Sequence, residues 1–124
     1  MIHLDTSFLI RALVPGSPED AQLREWLSGE TPLAISAVAW AEFLCGPIAA
    51  EDLSLAAAVV GEAVPLTADH AVRAAELFNA AGRKRGSFVD CLIAAAAIEE
   101  DAELATANPK DCKAMAGLRF ADSG

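Results

Sequence analysis

The chain opens on a short apolar run, Ile2-His3-Leu4, that stops at the carboxylate of Asp5 and two hydroxyl residues, Thr6 and Ser7. A run of this kind is consistent with a buried strand, and in open α/β sheets ligands bind at the carboxyl ends of strands, where Asp5 would stand. Asp5 equally suits the N-cap of a helix beginning at Thr6. Phe8, Leu9, Ala12 and Leu13 then recur at helical spacing until Pro15-Gly16 breaks the pattern. Ser17 or Pro18 opens a second helix, with Leu23, Trp26 and Leu27 on one face, that ends at Ser28-Gly29. Leu33-Ala34-Ile35 predicts a second strand, and Ser36 can cap a helix running through Val38, Ala39, Ala41, Glu42 and Leu44 to Gly46-Pro47.

The alanine-rich stretch 49–60 predicts a further helix, and Ala63-Val64-Pro65-Leu66 a strand that Pro65 confines to an end or an edge. Thr67 caps a helix carrying Val72, Ala75, Leu77 and Phe78, which closes in Gly82-Arg83-Lys84-Arg85-Gly86. Ser87 begins the most apolar helix, Phe88 to Ile98. Glu103-Leu104-Ala105-Thr106 predicts another strand, Asn108-Pro109 a short helix, and Leu118-Arg119-Phe120 a last short strand. Strands alternating with helices imply an α/β fold of three layers, α/β/α, with a central parallel sheet of four to five strands joined by right-handed crossovers.

Composition narrows the picture. At 124 residues the chain is expected to form a single domain over residues 1–124, with room for one core. Hydrophobic residues make up 54% of it, which argues against disorder, yet no apolar run reaches the roughly 18 residues of a membrane span. The start carries no basic region ahead of an apolar segment, so a cytoplasmic location without membrane contact is expected. Cys45, Cys91 and Cys112 are odd in number and widely spaced, and are read as neutral thiols rather than a disulfide framework or zinc site. The net charge of −9 excludes a nonspecific nucleic-acid binder, which needs a basic face. It leaves room for a nucleic-acid enzyme only if a divalent cation offsets acids that would otherwise repel phosphate.

Four acids qualify. Asp90 stands in the apolar helix after Ser87, where Ser87-x-x-Asp90 also has the form of a capping box. Glu42 lies about two turns into its helix among Trp40, Ala41, Phe43 and Leu44, beyond the reach of capping, so it either faces solvent or needs a cation. Asn108, Pro109 and Asp111 fit a cap pattern of their own. Each acid has a structural explanation taken singly, but Asp5, Asp90 and Asp111 all fall near strand ends or helix starts, and Glu42 follows the second strand. Converging at one sheet edge they would suit Mg²⁺ or Mn²⁺, which take oxygen ligands. His3 is read as a sheet residue and His70 as a solvated helix residue, neither a catalyst.

Asp5-Thr6-Ser7 after an apolar strand, Ser36 followed by Glu42 and Gly46, Asp90-Cys91-Leu92-Ile93-Ala94-Ala95-Ala96 on a helix, and Ala105-Thr106-Ala107-Asn108-x-x-Asp111 resemble the PIN-domain nucleases over essentially the whole chain. Length and spacings are most similar to the VapC-type toxins of toxin–antitoxin pairs. The resemblance implies a PIN-like fold and a Mg²⁺- or Mn²⁺-dependent endoribonuclease that cuts RNA phosphodiesters with metal-activated water. Asp5, Glu42 and Asp90 would hold the cation, with Asp111 completing the site directly or through water, and Thr106 or Ser7 orienting a carboxylate or the water. It further implies an RNA substrate, a small antitoxin that blocks the pocket, and a homodimer. Cys112 departs from the family pattern, in which an aromatic commonly follows the last acid. Arg11, Lys84 and Arg85 are candidates to meet RNA phosphates, although the basic cluster at 83–85 also suits a solvated loop. Trp26, Trp40 and the 49–60 stretch are read as core or as partner contact area.

Two rival readings remain. A magnesium-dependent phosphatase or phosphoacceptor domain would use Asp5 as nucleophile, but Ser7 occupies the place of the second Asp that dehalogenase-like enzymes require. A catalytically inactive PIN-like domain would use the same acidic edge to bind a protein partner.

Overall fold

The computed structural model describes residues 1–84, 87–112 and 115–121. Its centre is β1 (Ile2–Leu4), every residue of which is buried, as expected for an inner strand of a parallel sheet. On one side β1 pairs in parallel with β2 (Leu33–Ala34), Ile2 opposite Leu33 and His3 opposite Ala34. On the other it pairs in parallel with β3 (Glu103–Ala105), in register from Ile2 opposite Glu103 to Leu4 opposite Ala105. The order is therefore β2-β1-β3.

The sheet has three strands among the described residues, not the four to five expected. The two missing strands shrink to single parallel bridges at its edges, Ser36 with Val64 and Leu104 with Phe120. Val64 donates to Ile35 O and accepts from Ala37 N, both at 2.8 Å, but Pro65 has no N–H with which to continue the ladder. At the far edge Leu104 alone is bracketed, donating to Arg119 O at 2.8 Å and accepting from Ala121 N at 2.9 Å.

Among the described residues six helices surround the sheet: α1 (Thr6–Ala12), α2 (Pro18–Ser28), α3 (Ala37–Leu44), α4 (Ala50–Val60), α5 (Ala68–Ala80) and α6 (Phe88–Glu99), with a 3₁₀ turn at Pro109–Cys112. Ser17, Ser36 and Thr67 cap α2, α3 and α5, each side-chain oxygen accepting from the amide three residues on, Asp20, Ala39 and His70. These bonds satisfy amides that the helix itself leaves without acceptors. Ser87 behaves differently. Its hydroxyl makes no cap bond and instead donates back to Lys84 O at 2.6 Å, so the capping box anticipated with Asp90 loses its serine half.

The larger core joins Ile2 and Leu4 of β1 to Phe8, Leu9, Leu23, Trp26, Ile35, Phe43, Ile93 and Leu104. Trp26 stacks on Phe8 at 5.4 Å between ring centroids, which makes it a core residue. Half-buried Trp40 stacks on Phe43. A second core lies between α5 and α6, where Ala94 and Ala95 let the helices approach closely against Ala74, Leu77 and Cys91. Cys91 and Cys112 are buried and Cys45 is exposed, and none of the three is in a disulfide.

One expectation about α5 is overturned. His70 is not solvated but 1% exposed, because it shares with Ala74 and Leu77 the face that packs on α6. Its Nε2 lies 3.1 Å from Glu100 Oε2. His3, a sheet residue as expected, is equally buried, and among the described residues neither of its ring nitrogens has a hydrogen-bond partner.

Candidate active site

Because β1, β2 and β3 all run in parallel, their carboxyl ends share one edge of the sheet. Asp5 follows β1 there, Thr106 follows β3, and Ser36, the cap of α3, stands just beyond β2. The short connection from α6 to β3 turns the chain back, so the first turn of α6, with Asp90, returns to that edge. α3 packs against both α1 and α6, and α6 against the 3₁₀ turn.

Asp5 occupies the N-cap position of α1 but does not cap it with its side chain. Its backbone performs the turn: the N–H donates to Ala105 O at 2.8 Å and the carbonyl accepts from Leu9 N at 3.1 Å. The carboxylate is left for other work. Its Oδ2 accepts from Ser7 Oγ at 2.9 Å and from Thr106 Oγ1 at 2.7 Å.

Two backbone amides settle the direction of those bonds. Ala107 N donates to Ser7 Oγ and Asn108 N to Thr106 Oγ1, each at 3.1 Å. With an amide pointed at each oxygen, the hydroxyl protons turn to the carboxylate. Hydrogen bonds to a charged acceptor contribute about 1.5–3 kcal/mol each, and these half-exposed ones fall at the low end. Their larger effect is to fix the plane of Asp5. Among the described residues Asp5 Oδ1 accepts no hydrogen bond, so one oxygen is anchored and the other open.

The remaining acids are placed less tightly. Glu42 is exposed on α3. Asp90 is half-buried in the first turn of α6. Beside it, burial pushes the Cys91 thiol up from its usual range and the Asp90 charge adds to the rise, so this thiol stays neutral. Asp111 belongs to the 3₁₀ turn, and its side chain lies outside the described residues. Among the described residues no group of three or more His, Cys, Asp or Glu side chains is placed to hold a metal ion. Asp5, Ser7 and Thr106 are thus brought together in direct contact, while Glu42 is carried by α3 and Asp90 by the first turn of α6. What is present fits one end of a divalent-cation site: oxygen donors only, and an oriented carboxylate with an open oxygen.

The basic residues sort by their partners. Arg11 lies 3.9 Å from Glu19, and Arg24, Arg73 and Arg119 are paired with acids. Arg83 donates to Asn79 Oδ1 and sits over the Phe78 ring. Arg85 lies outside the described residues. Among the described Lys and Arg side chains, only Lys84 and Lys110 have no such partner. Both are exposed, Lys84 just ahead of α6 and Lys110 in the turn after Thr106. Lys110 escapes sequence reasoning, where its only signal is its place between Pro109 and Asp111.

The sequence matches the PIN domain family over residues 2–118, and the chain belongs to that family. No curated protein matches it. Among solved structures it resembles a chain of VapBC2 from Rickettsia felis bound to a DNA fragment from their promoter, with 26% identity, 98% of each chain covered and a TM-score of 0.79. The DNA-bound VapBC from Salmonella typhimurium is similar at 20% identity, 99% of this chain and 98% of that one covered, TM-score 0.79. The sarcin–ricin-loop-cleaving toxin VapC20 from Mycobacterium tuberculosis shares the fold at 19% identity, 96% and 99% covered, TM-score 0.65.

Proposed function

We propose that this protein is the toxin of a toxin–antitoxin pair and acts as a metal-dependent endoribonuclease. The observation that carries the reading is the Asp5 carboxylate: it stands at the carboxyl edge of a parallel sheet, is released from capping, and is oriented by the Ser7 and Thr106 hydroxyls. A carboxylate that merely closed a helix would bond the helix amides instead. Membership of the PIN family and likeness to VapBC structures support the same reading.

In this reading Asp5, Glu42, Asp90 and Asp111 hold Mg²⁺ or Mn²⁺. When bound, such a cation supplies Lewis acidity toward the phosphodiester and lowers the pKa of water. Ser7 and Thr106 keep the Asp5 carboxylate in one plane, so that its open oxygen faces the cation rather than swinging toward solvent. Lys84, just ahead of α6, and Lys110, in the turn after Thr106, meet RNA phosphates in preference to Arg11, whose charge is shared with Glu19. Arg85 remains a candidate for the same role.

A small cognate antitoxin is the protein partner in this reading, supported by the paired assembly named for the Rickettsia and Salmonella structures. A groove of about 300 Å³ between α1 and the end of α3, lined by Ile10, Leu13, Val14, Phe43, Pro47 and Ile48, offers apolar contact area for it. A homodimer and a cytoplasmic setting complete the proposal. Among the described residues no helix is long and apolar enough to cross a membrane.

A catalytically silent PIN domain is the second reading, since among the described residues no group of three or more His, Cys, Asp or Glu side chains is placed to hold a metal ion. One experiment separates them: incubation of a structured RNA with wild type and with Asp5→Asn, with and without Mg²⁺ or Mn²⁺. Cleavage by the wild type that needs the metal and disappears in the variant supports the nuclease. Equal RNA survival in every arm refutes it.

A further inference from the structure

Thr6 follows Asp5 directly, yet its side chain turns away from the carboxylate and into the protein. Its Oγ1 donates to Ala39 O, in the first turn of α3, at 3.0 Å. Both residues are buried, Thr6 at 6% and Ala39 at 0% exposure. The bond therefore forms in a low-dielectric interior where a donor has few alternative partners.

The accepting carbonyl matters because of where it sits. The amide of Ala39 is taken by the cap Ser36 Oγ at 3.1 Å, so Ala39 is tied at both ends, to the start of its own helix and to α1. Its carbonyl has a second lone pair to offer beyond the helical bond. Glu42 lies one turn farther along α3, and residues three apart on a helix are surface neighbours. A displacement of α3 along α1 would carry Glu42 with it and alter its separation from Asp5. The Thr6 hydroxyl resists that sliding in a way that apolar contacts between the helices do not, since a hydrogen bond is directional and packing is not.

We propose, on the reading of the site given above, that Thr6 is a positioning residue: by locking α3 to α1 at Ala39 it sets the spacing of the Asp5 and Glu42 carboxylates, and so the affinity for the divalent cation. It touches neither RNA nor the ion. Its effect passes through Glu42.

The test is Mn²⁺ binding to the purified protein without RNA, followed by calorimetry and by the electron-spin signal of free Mn²⁺. Thr6→Val keeps the shape and deletes the donor. We expect it to weaken Mn²⁺ binding by about 10-fold or more, the range typical of residues supporting a metal ligand. Thr6→Ser, which keeps the hydroxyl, should bind within about 3-fold of wild type. Adding Thr6→Val to Glu42→Gln should cost nothing further, because the group through which it acts is already altered. Thr6→Ala stands in, read the same way, should the valine variant not fold. Losses that add in the Glu42→Gln background, or a Thr6→Val protein that binds like wild type, would overturn the inference and leave the metal-site reading intact. A wild type that binds no Mn²⁺ would overturn both.

Discussion

Thr106 Oγ1 meets Asp5 Oδ2 at 2.7 Å across 101 residues of sequence. The bond ties the end of β3 to the end of β1 at a carboxylate that two hydroxyls orient. Ser7 supports the same oxygen from the α1 side. Replacing Thr106 with valine should lower RNA cleavage by about 10–100-fold while the folded protein persists. Ser7→Ala should act in the same direction, and the double variant should lose less than the product of the two. Single-turnover cleavage rates alongside thermal melting check this, and a fall in melting temperature without a fall in rate would contradict it.

The two unpaired lysines make a separate prediction. Lys84→Ala and Lys110→Ala, placed in the Asp5→Asn background so that RNA survives, should each weaken binding at low salt. Each should also flatten the plot of log affinity against log salt, by about 0.7 for every phosphate of single-stranded RNA that the lysine had neutralised. Neither should change thermal stability, since both side chains are exposed and, among the described residues, without ion-pair partners. Filter binding at several salt concentrations gives the slope, and an unchanged slope removes both residues from the RNA path.

His3 links stability to pH. Burial holds its imidazole below the ordinary value of 6.5, nearby His70 and the N-terminus push the same way, and Glu100 opposes them. The unfolded chain therefore takes up a proton near 6.5 that the folded chain refuses. Stability from this group is full above that pH and drains away as pH falls from there toward the folded value. The melting temperature should drop on going from about pH 7.5 to about pH 5.5. His3→Leu, which removes the proton and two unsatisfied nitrogens, should show a smaller drop.

Leu4 tests the sheet itself. It is 0% exposed at the end of the central strand, one residue before Asp5, and Leu4→Ala should cost about 2–5 kcal/mol by leaving a cavity. Urea denaturation measures the loss. Because β1 also carries Asp5, cleavage should fail at a lower temperature than in wild type.

Much of this is legible along the chain. The apolar run ending at Asp5-Thr6-Ser7, and Thr106 after another apolar run, mark the two strand ends that meet. What spacing does not reveal is which partner each polar group chooses. Asp5 and Ser87 both have the sequence setting of a cap, yet Asp5 bonds hydroxyls, one of them 101 residues away, and Ser87 turns back to Lys84 O three residues earlier, choices that the cap pattern itself does not encode. The stretches 63–66 and 118–120 have strand character, but each reaches the sheet at a single residue. His70 misleads for another reason: it stands four and seven residues before Ala74 and Leu77 on the buried stripe of α5, and its polarity hides a spacing that is already there. Lys110 gives almost no signal, because an unpaired lysine is recognised only once the acids around it are placed.

The topology of the sheet has a bearing on how a cell could make such a protein at all. Asp5 emerges from the ribosome 101 residues ahead of the threonine that orients it, an interval of about 5–20 s at ordinary rates of translation. Until β3 is synthesised and docks, a nascent chain carries the acid without its brace. A site built this way is braced only once its last strand is made, and a product terminated ahead of β3 lacks that brace.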